Sequence, residues 1–188
     1  MRTANTYSEI ISNINFLQSK SERDHYENCE FVNCVLSDIS QITFINCSFK
    51  NCNLSNCVVN NSMIQDVSFL DCKLLGVNFS QAKDFAFTVF CKHCNLDYAS
   101  FDKKKLNKSV FDHCKMHHVN FTLADLSKSK LINCDLLEAH FSQTNIATVD
   151  FTSSHNFSIN PENNQIKKAK FLMQDLEKLL YQYDIIVE

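Results

Sequence analysis

A bulky apolar residue falls at every fifth position over most of this chain. From residue 91 onward the series is Cys91, Leu96, Phe101, Leu106, Phe111, Met116, Phe121, Leu126, Leu131, Leu136, Phe141, Ile146 and Phe151, with no miss. A second frame upstream holds Phe44, Phe49, Leu54, Val59, Ile64, Phe69, Leu74 and Phe79, and a shorter first one holds Tyr26, Phe31 and Leu36, with Phe16 in step before it. Two residues before each of these stands a small side chain, such as Cys47, Cys52, Cys72, Ala99, Cys114, Ala124 or Ala139, and the remaining positions are mostly polar. A period of five fits neither the helical 3.6 nor the strand period of 2. A chain that turns a corner every five residues, with two inward positions on each side, does fit it.

One glycine, Gly76, and one proline, Pro161, serve the whole chain. Phosphate-cradling loops and dinucleotide turns need several glycines, so nucleotide-fold enzymes are excluded, and the turns here must be made by ordinary residues. Ten cysteines would suggest a disulfide framework in a small secreted chain. Nine of them, all but Cys91, occupy the small inward position, where a thiol acts as a small hydrophobe. Free thiols are expected.

Read in tandem, Cys47-Ser-Phe-Lys-Asn, Cys52-Asn-Leu-Ser-Asn, Ala124-Asp-Leu-Ser-Lys and Cys134-Asp-Leu-Leu-Glu resemble the pentapeptide-repeat family, whose unit is A(D/N)LXX. The resemblance runs from about Tyr26 to Phe171. It implies a right-handed quadrilateral parallel β-helix, in which four pentapeptides make one coil and residues twenty apart stack. The sequence passes that test: Phe101, Phe121 and Phe141 form one column, Leu106, Leu126 and Ile146 another, Cys94, Cys114 and Cys134 a third, and Phe49 lies under Phe69. At about 4.8 Å per coil, roughly seven or eight coils make a rod of about 35 Å.

The frame slips between Leu36 and Phe44, and again between Phe79 and Cys91, where the Lys83-Asp-Phe-Ala-Phe-Thr stretch adds about two residues. Both read as corner irregularities, places where recognition residues often lie. Three regions follow: 1–25, an N-terminal cap with a first irregular coil; 26–171, the β-helix; and 172–188, a C-terminal cap. Leu172, Met173, Leu176, Leu179, Leu180 and Tyr183 recur at helical spacing, and Ile185, Ile186 and Val187 make a β-branched tail, so a short helix and strand are expected. An open solenoid end must be covered. The resembling gyrase-protecting proteins dimerise through such a module, which implies a homodimer interface through Leu176, Leu179, Leu180, Tyr183, Ile185, Ile186 and Val187.

Cys91-Lys-His-Cys94 matches a C-x-x-C pair, but both cysteines sit at inward repeat positions, so packing is the reading. His93 and His113 should stack on the outer surface, with His117 and His118 near the next corner. Two exposed histidines without converging ligands hold no zinc. Lys103, Lys104, Lys105, Lys108, Lys128 and Lys130 form a local basic patch, read chiefly as a solvated face. An acidic protein or a phosphate backbone is its other possible partner. Lys104 also stands where a small inward residue belongs. No catalytic nucleophile with a base and an orienting acid can be assembled, and a filled rod offers no cleft, so no enzyme, cofactor or metal is expected.

Formal net charge is −3, which provides no field to hold nucleic acid. No apolar run approaches a membrane span and the start shows no signal-peptide pattern, so a cytoplasmic protein is expected. Two functions remain. One is a rod that binds a protein partner. The other, implied by the resemblance, is a DNA-mimicking binder of a bacterial type II topoisomerase that gives inhibition or fluoroquinolone protection. Acids and lysines nearly balance along the array, which tells against a mimic. Acids clustered on one face would favour the topoisomerase reading and scattered acids the general one.

Overall fold

The computed structural model describes residues 9–16 and 23–186. A seven-stranded parallel sheet runs along one flank, built in order from Glu9–Ser12, Cys29–Val32, Ser48–Lys50, Val67–Leu70, Val89–Lys92, Val110–Asp112 and Lys130–Ile132. A second, three-stranded face joins His25–Glu27, Thr43–Ile45 and Met63–Gln65, and Asn15–Phe16 pairs with Val35–Leu36. The seven strands fix six successive coils. Isolated parallel bridges carry the stacking onward to Asp150↔Lys170. The architecture is a right-handed four-sided parallel β-helix.

Most coil-to-coil steps are twenty residues, as in Phe49↔Phe69 and Phe111↔Leu131. Phe31↔Phe49 is two residues short and Phe69↔Cys91 two residues over. The two frame slips are therefore one contracted coil and one expanded coil. Ile39 and Ile42 are both buried at the contraction, so the shortened corner still turns its apolar side inward.

Inward aromatic rings stack from coil to coil. Phe31–Phe49 and Phe49–Phe69 lie 4.6 and 5.1 Å apart, and Phe79, Phe101, Phe121 and Phe141 form a second pile at 4.9, 5.6 and 5.3 Å. Neighbouring piles meet edge to face, as Phe101 does Phe111 at 5.6 Å and 74°. Both geometries suit the ring quadrupole and give about 0.5–1.5 kcal/mol per pair beyond area burial. Leu106, Leu126 and Ile146 are fully buried in a third column.

The corners explain how a chain with one glycine turns so often. Two residues after most of the large inward residues the backbone takes positive φ, as at Asn33, Asn51, Asn56, Asn61 and Gly76 and then at Tyr98, Lys103, His113, Leu123, Lys128 and Thr148. On the short sides the following amide closes an i→i+3 turn, as Cys57 N–H does to the Leu54 carbonyl at 3.0 Å and Ala124 N–H to Phe121 at 3.0 Å. That is type II turn geometry, which needs φ > 0 at its third residue. Upstream, asparagine supplies it at low cost; downstream the interlocked coils impose it on residues that disfavour it.

At the C-terminus the expected helix is 3-10 in character, Met173–Leu179 followed by Tyr181–Tyr183. The expected strand is absent from residues 184–186, and Val187 lies outside the described residues. A strand needs a free edge. Here the Ile159 N–H donates to the Lys178 carbonyl at 3.2 Å, so the 3-10 segment already covers the last coil. Asp175 pairs with Lys178 at 2.6 Å, and the Lys178 ammonium lies 5.0 Å from the Phe157 ring centroid.

Candidate protein-binding surface

The interior is filled. A gap among Tyr26, Phe31, Leu36, Ile39, Ile42 and Phe44 holds about 10 Å³. What the rod presents to other molecules is its outer columns, repeated at the coil spacing.

The Asp or Asn before several of the large inward residues takes part in the turn rather than standing free. Asn53, Asn95, Asn120, Asp125, Asn145 and Asp150 each accept a hydrogen bond at 2.9–3.1 Å from the backbone N–H two residues on. These Asx turns fix the corner that follows. Thr152, through its hydroxyl and its amide, also holds the Asp150 carboxyl below the usual carboxylate range.

Acids are scattered over the rod. Glu30, Asp112 and Asp150 lie on the seven-stranded flank, Asp97 and Asp135 on the next side, Asp102 on the third and Asp125 on the fourth. Several are already paired: Asp97 receives Lys115 at 2.7 Å and the His117 amide at 3.0 Å, while Asp135 meets His117 at 2.6 Å and Asn156 at 2.8 Å. Among the described residues no continuous acidic face results.

The histidines lie where the repeat places them, with partners the sequence did not reveal. His93 and His113 rings are 5.1 Å apart, His113 is held by Asp112 at 2.6 Å and Asn133 at 3.2 Å, and His118 stacks on Tyr98 at 4.6 Å and meets Glu138 at 3.1 Å. Among the described residues no group of three or more His, Cys, Asp or Glu has metal-holding geometry. All ten cysteines are free and buried, Cys91 and Cys94 included. Cys52, Cys72, Cys94, Cys114 and Cys134 each donate to a carbonyl of the preceding coil at 3.4–3.5 Å. Burial pushes the Cys47 thiol up to about 11 and Cys57 up to about 12.

The expanded corner carries the one projecting bulge in the described array. Phe87 is buried, while Phe85 is 75% exposed at its tip. Beneath it Lys104 is only 1% exposed and does not belong to the surface basic patch. Its ammonium donates to the Ala82 carbonyl at 2.5 Å and to Asp84 at 2.6 Å, and lies 5.1 Å from the Phe87 ring centroid. The two extra residues open the corner, and a long side chain at the inward position reaches across to tie them down. Lys103, by contrast, sits exposed beside Asp102 at 3.5 Å.

At the C-terminal end Leu176, Tyr183, Ile185 and Ile186 are exposed and Leu180 is half-buried, whereas Leu179 is buried in the core. Leu179 closes the coil and is unavailable to a partner. Leu172, Met173 and Tyr181 enlarge the exposed apolar end.

No curated protein matches the chain. Among solved structures, full-length QnrB1, a plasmid-mediated fluoroquinolone resistance protein, is similar at 19% identity with a TM-score of 0.57, covering 96% of this chain and 99% of that one. HetL from Nostoc sp. strain PCC 7120, a pentapeptide repeat protein involved in heterocyst differentiation regulation, aligns at 10% identity and a TM-score of 0.44 over 88% of this chain and 84% of its own. The family model for pentapeptide repeats matches eight copies, over residues 43–81, 91–127 and 120–155. With more than half its length matched and the coil geometry in place, this chain belongs to the pentapeptide-repeat family.

Proposed function

We propose that the chain is a non-enzymatic rod that binds another protein along its flank. Residues 26–171 form the binding surface and 172–188 an end module that pairs two copies. The observation behind this reading is the combination of a filled interior with rigid, regularly stacked outer columns. Such a surface loses little freedom on binding, which favours a protein partner over a small molecule. The exposed apolar C-terminal end supports pairing with a second copy. The free, buried thiols suit a reducing cytoplasm, and no described helix is long and apolar enough to cross a membrane.

The test places a photo-crosslinking residue on each side in turn, at Phe90, Lys73, Asn120 and Asp125. A specific adduct from one side and not from the others is expected. Four sides that yield no specific protein adduct overturn the reading.

QnrB1 is named for fluoroquinolone resistance, and a type II topoisomerase is accordingly the first partner to try. The scattered acids and their use in Asx turns weigh against DNA mimicry. Supercoiling by DNA gyrase, titrated with the protein with and without a fluoroquinolone, decides: inhibition or drug protection at low micromolar protein establishes that partner, and an unchanged reaction removes it.

A further inference from the structure

Lysines without a partner gather along one edge in the C-terminal half. Lys108, Lys128 and Lys168 share a corner column, in which Thr148 takes the remaining place, and Lys105 and Lys167 stand beside it. On the adjoining flank Lys130, Asp150 and Lys170 form a second column, where Lys170 meets Asp150 at 3.4 Å. Lys105, Lys108, Lys128, Lys130, Lys167 and Lys168 are all exposed and make no ion pair among the described residues. Elsewhere Lys92, Lys103, Lys104, Lys115 and Lys178 each face a carboxylate, while Lys50, Lys73 and Lys83, also exposed and without an ion pair among the described residues, lie apart from this edge in the N-terminal half. Lys128 and Lys168 also hold positive φ, 66° and 61°. Unpaired like charges gathered along one edge repel one another, and at Lys128 and Lys168 they also occupy corners that disfavour a lysine.

A groove of about 410 Å³ lies within this edge, lined by Lys128, Lys130, Ile132, Thr148, Asp150 and Thr152 among others. The half-buried Ile132 offers an apolar contact and the threonines offer hydroxyls.

We infer that this edge receives an acidic α-helix of the protein partner, lying along the rod axis; the inference rests on the protein-binding reading. Spacing and charge pattern both support a helix. From residue 108 to 168 the three coil steps span about 14 Å at about 4.8 Å each. A helix rises 1.5 Å per residue, so carboxylates at i, i+3 and i+10 fall at about 0, 4.5 and 15 Å, opposite Lys108, Lys128 and Lys168, while position i+7 at about 10.5 Å comes to the level of Thr148 and Asp150. Asp150 sets this partner apart from a nucleic acid. Asp150 stays half exposed beside Lys170, so a continuous phosphate backbone meets repulsion at that point, whereas a helix can place a neutral or basic side chain there.

The probe is a labelled helical peptide with glutamates at i, i+3 and i+10, a lysine at i+7 and an isoleucine on the same face, followed by fluorescence anisotropy on the full chain. Binding that weakens about tenfold or more in Lys128→Glu/Lys130→Glu/Lys168→Glu, and also at high salt, is expected. The corresponding Lys→Gln variants should fall between. A peptide of the same composition with its glutamates scattered around the helix should bind several-fold more weakly. Equal binding of the scattered peptide, or tighter binding of a single-stranded oligonucleotide, overturns the helix assignment. Absent peptide binding while the crosslinking scan still captures a protein overturns the lysine edge alone. If both fail, the protein-binding reading falls with it.

Discussion

Lys104 and Asp84 are joined across the expanded coil, ammonium to carboxylate at 2.6 Å, with the lysine buried and the aspartate side chain 77% exposed. The burial is lopsided, and that fixes what each substitution does. Lys104→Met keeps the volume but leaves the Ala82 carbonyl without its donor, at a cost of about 1–3 kcal/mol. Lys104→Ala adds a cavity and costs more, about 2–5 kcal/mol. Asp84→Asn keeps an acceptor in water and costs less than either. Urea midpoints should follow that order, and trypsin should cut after Lys83 far faster in Lys104→Met than in the parent. Equal resistance to trypsin would show that the bulge holds without its lysine.

Thr148 is β-branched and yet sits at φ 66°. Such a side chain disfavours the left-handed region by about 1–2 kcal/mol, while asparagine enters it readily, as it does at Asn51, Asn56 and Asn61. Thr148→Asn should therefore raise stability by about 1 kcal/mol. Asn56→Thr should lower it by a similar amount. Thermal melts of the two variants against the parent decide the matter; a Thr148→Asn protein that melts lower would mean the threonine is held by something other than corner geometry.

The corners show how far the sequence could be read. Asn33, Asn51, Asn56 and Asn61 repeat at steps of five or a multiple of it plus a slip, a visible sign of left-handed turns. After Gly76 the same positions hold Tyr98, Lys103, His113 and Leu123, which share no chemistry because the stacked hydrogen bonds set φ regardless of side chain. The inward columns were legible, since burial demands apolar size at fixed spacing and little else satisfies it. The outer pairs were not. Lys115–Asp97 and His117–Asp135 each join residues eighteen apart, a diagonal between coils that depends on how side chains lean. Likewise the C-terminal helical spacing of Leu176, Leu179 and Tyr183 did not distinguish the residue that closes the core, Leu179, from those left outside it.

Cys47 and Cys57 hold their protons more tightly in the folded chain, up to about 11 and about 12 against an ordinary 9.0. Burial is the main cause in both. Raised values stabilise the fold fully below pH 9, and that stability is lost as pH climbs through the folded values. Asp150 is shifted the opposite way, below 3.8, by its hydrogen bonds from Thr152, so its contribution is present above pH 3.8 and fades below it. Its carboxylate is half exposed, which keeps that contribution small. The contribution of Cys47 and Cys57 predicts urea midpoints that fall as pH rises from about 9 through the folded values. A midpoint that rises between pH 9 and 11 contradicts the buried-thiol account.

Ten free, buried thiols make a separate prediction. Only a thiolate attacks a disulfide reagent, and these groups are both shielded and, at Cys47 and Cys57, held protonated. In the native protein at pH 8, Ellman's reagent should react slowly and at a rate set by opening of the coils. In denaturant all ten should react at once. Fewer than ten in denaturant without reductant would reveal a disulfide, and several fast thiols in the native state would mean the rod opens far more easily than its packing implies.

The apolar C-terminal end should pair two copies of the chain. Ile186 is 89% exposed and Leu176 45%, beside Tyr183, whose hydroxyl donates to Glu162 at 2.6 Å. Sedimentation equilibrium at micromolar concentration should give twice the chain mass, and the melting temperature should rise with concentration because pairing stabilises only the folded form. Leu176→Asp and Ile185→Asp should yield monomers with an otherwise intact fold, since neither side chain belongs to the core. Leu179→Ala should act differently: it leaves a gap under the last coil and costs about 2–4 kcal/mol of fold stability, whatever the state of association. A monomeric parent at micromolar concentration sinks the pairing. The contrast between Leu176 and Leu179 then still reports whether the 3-10 segment caps the rod on its own.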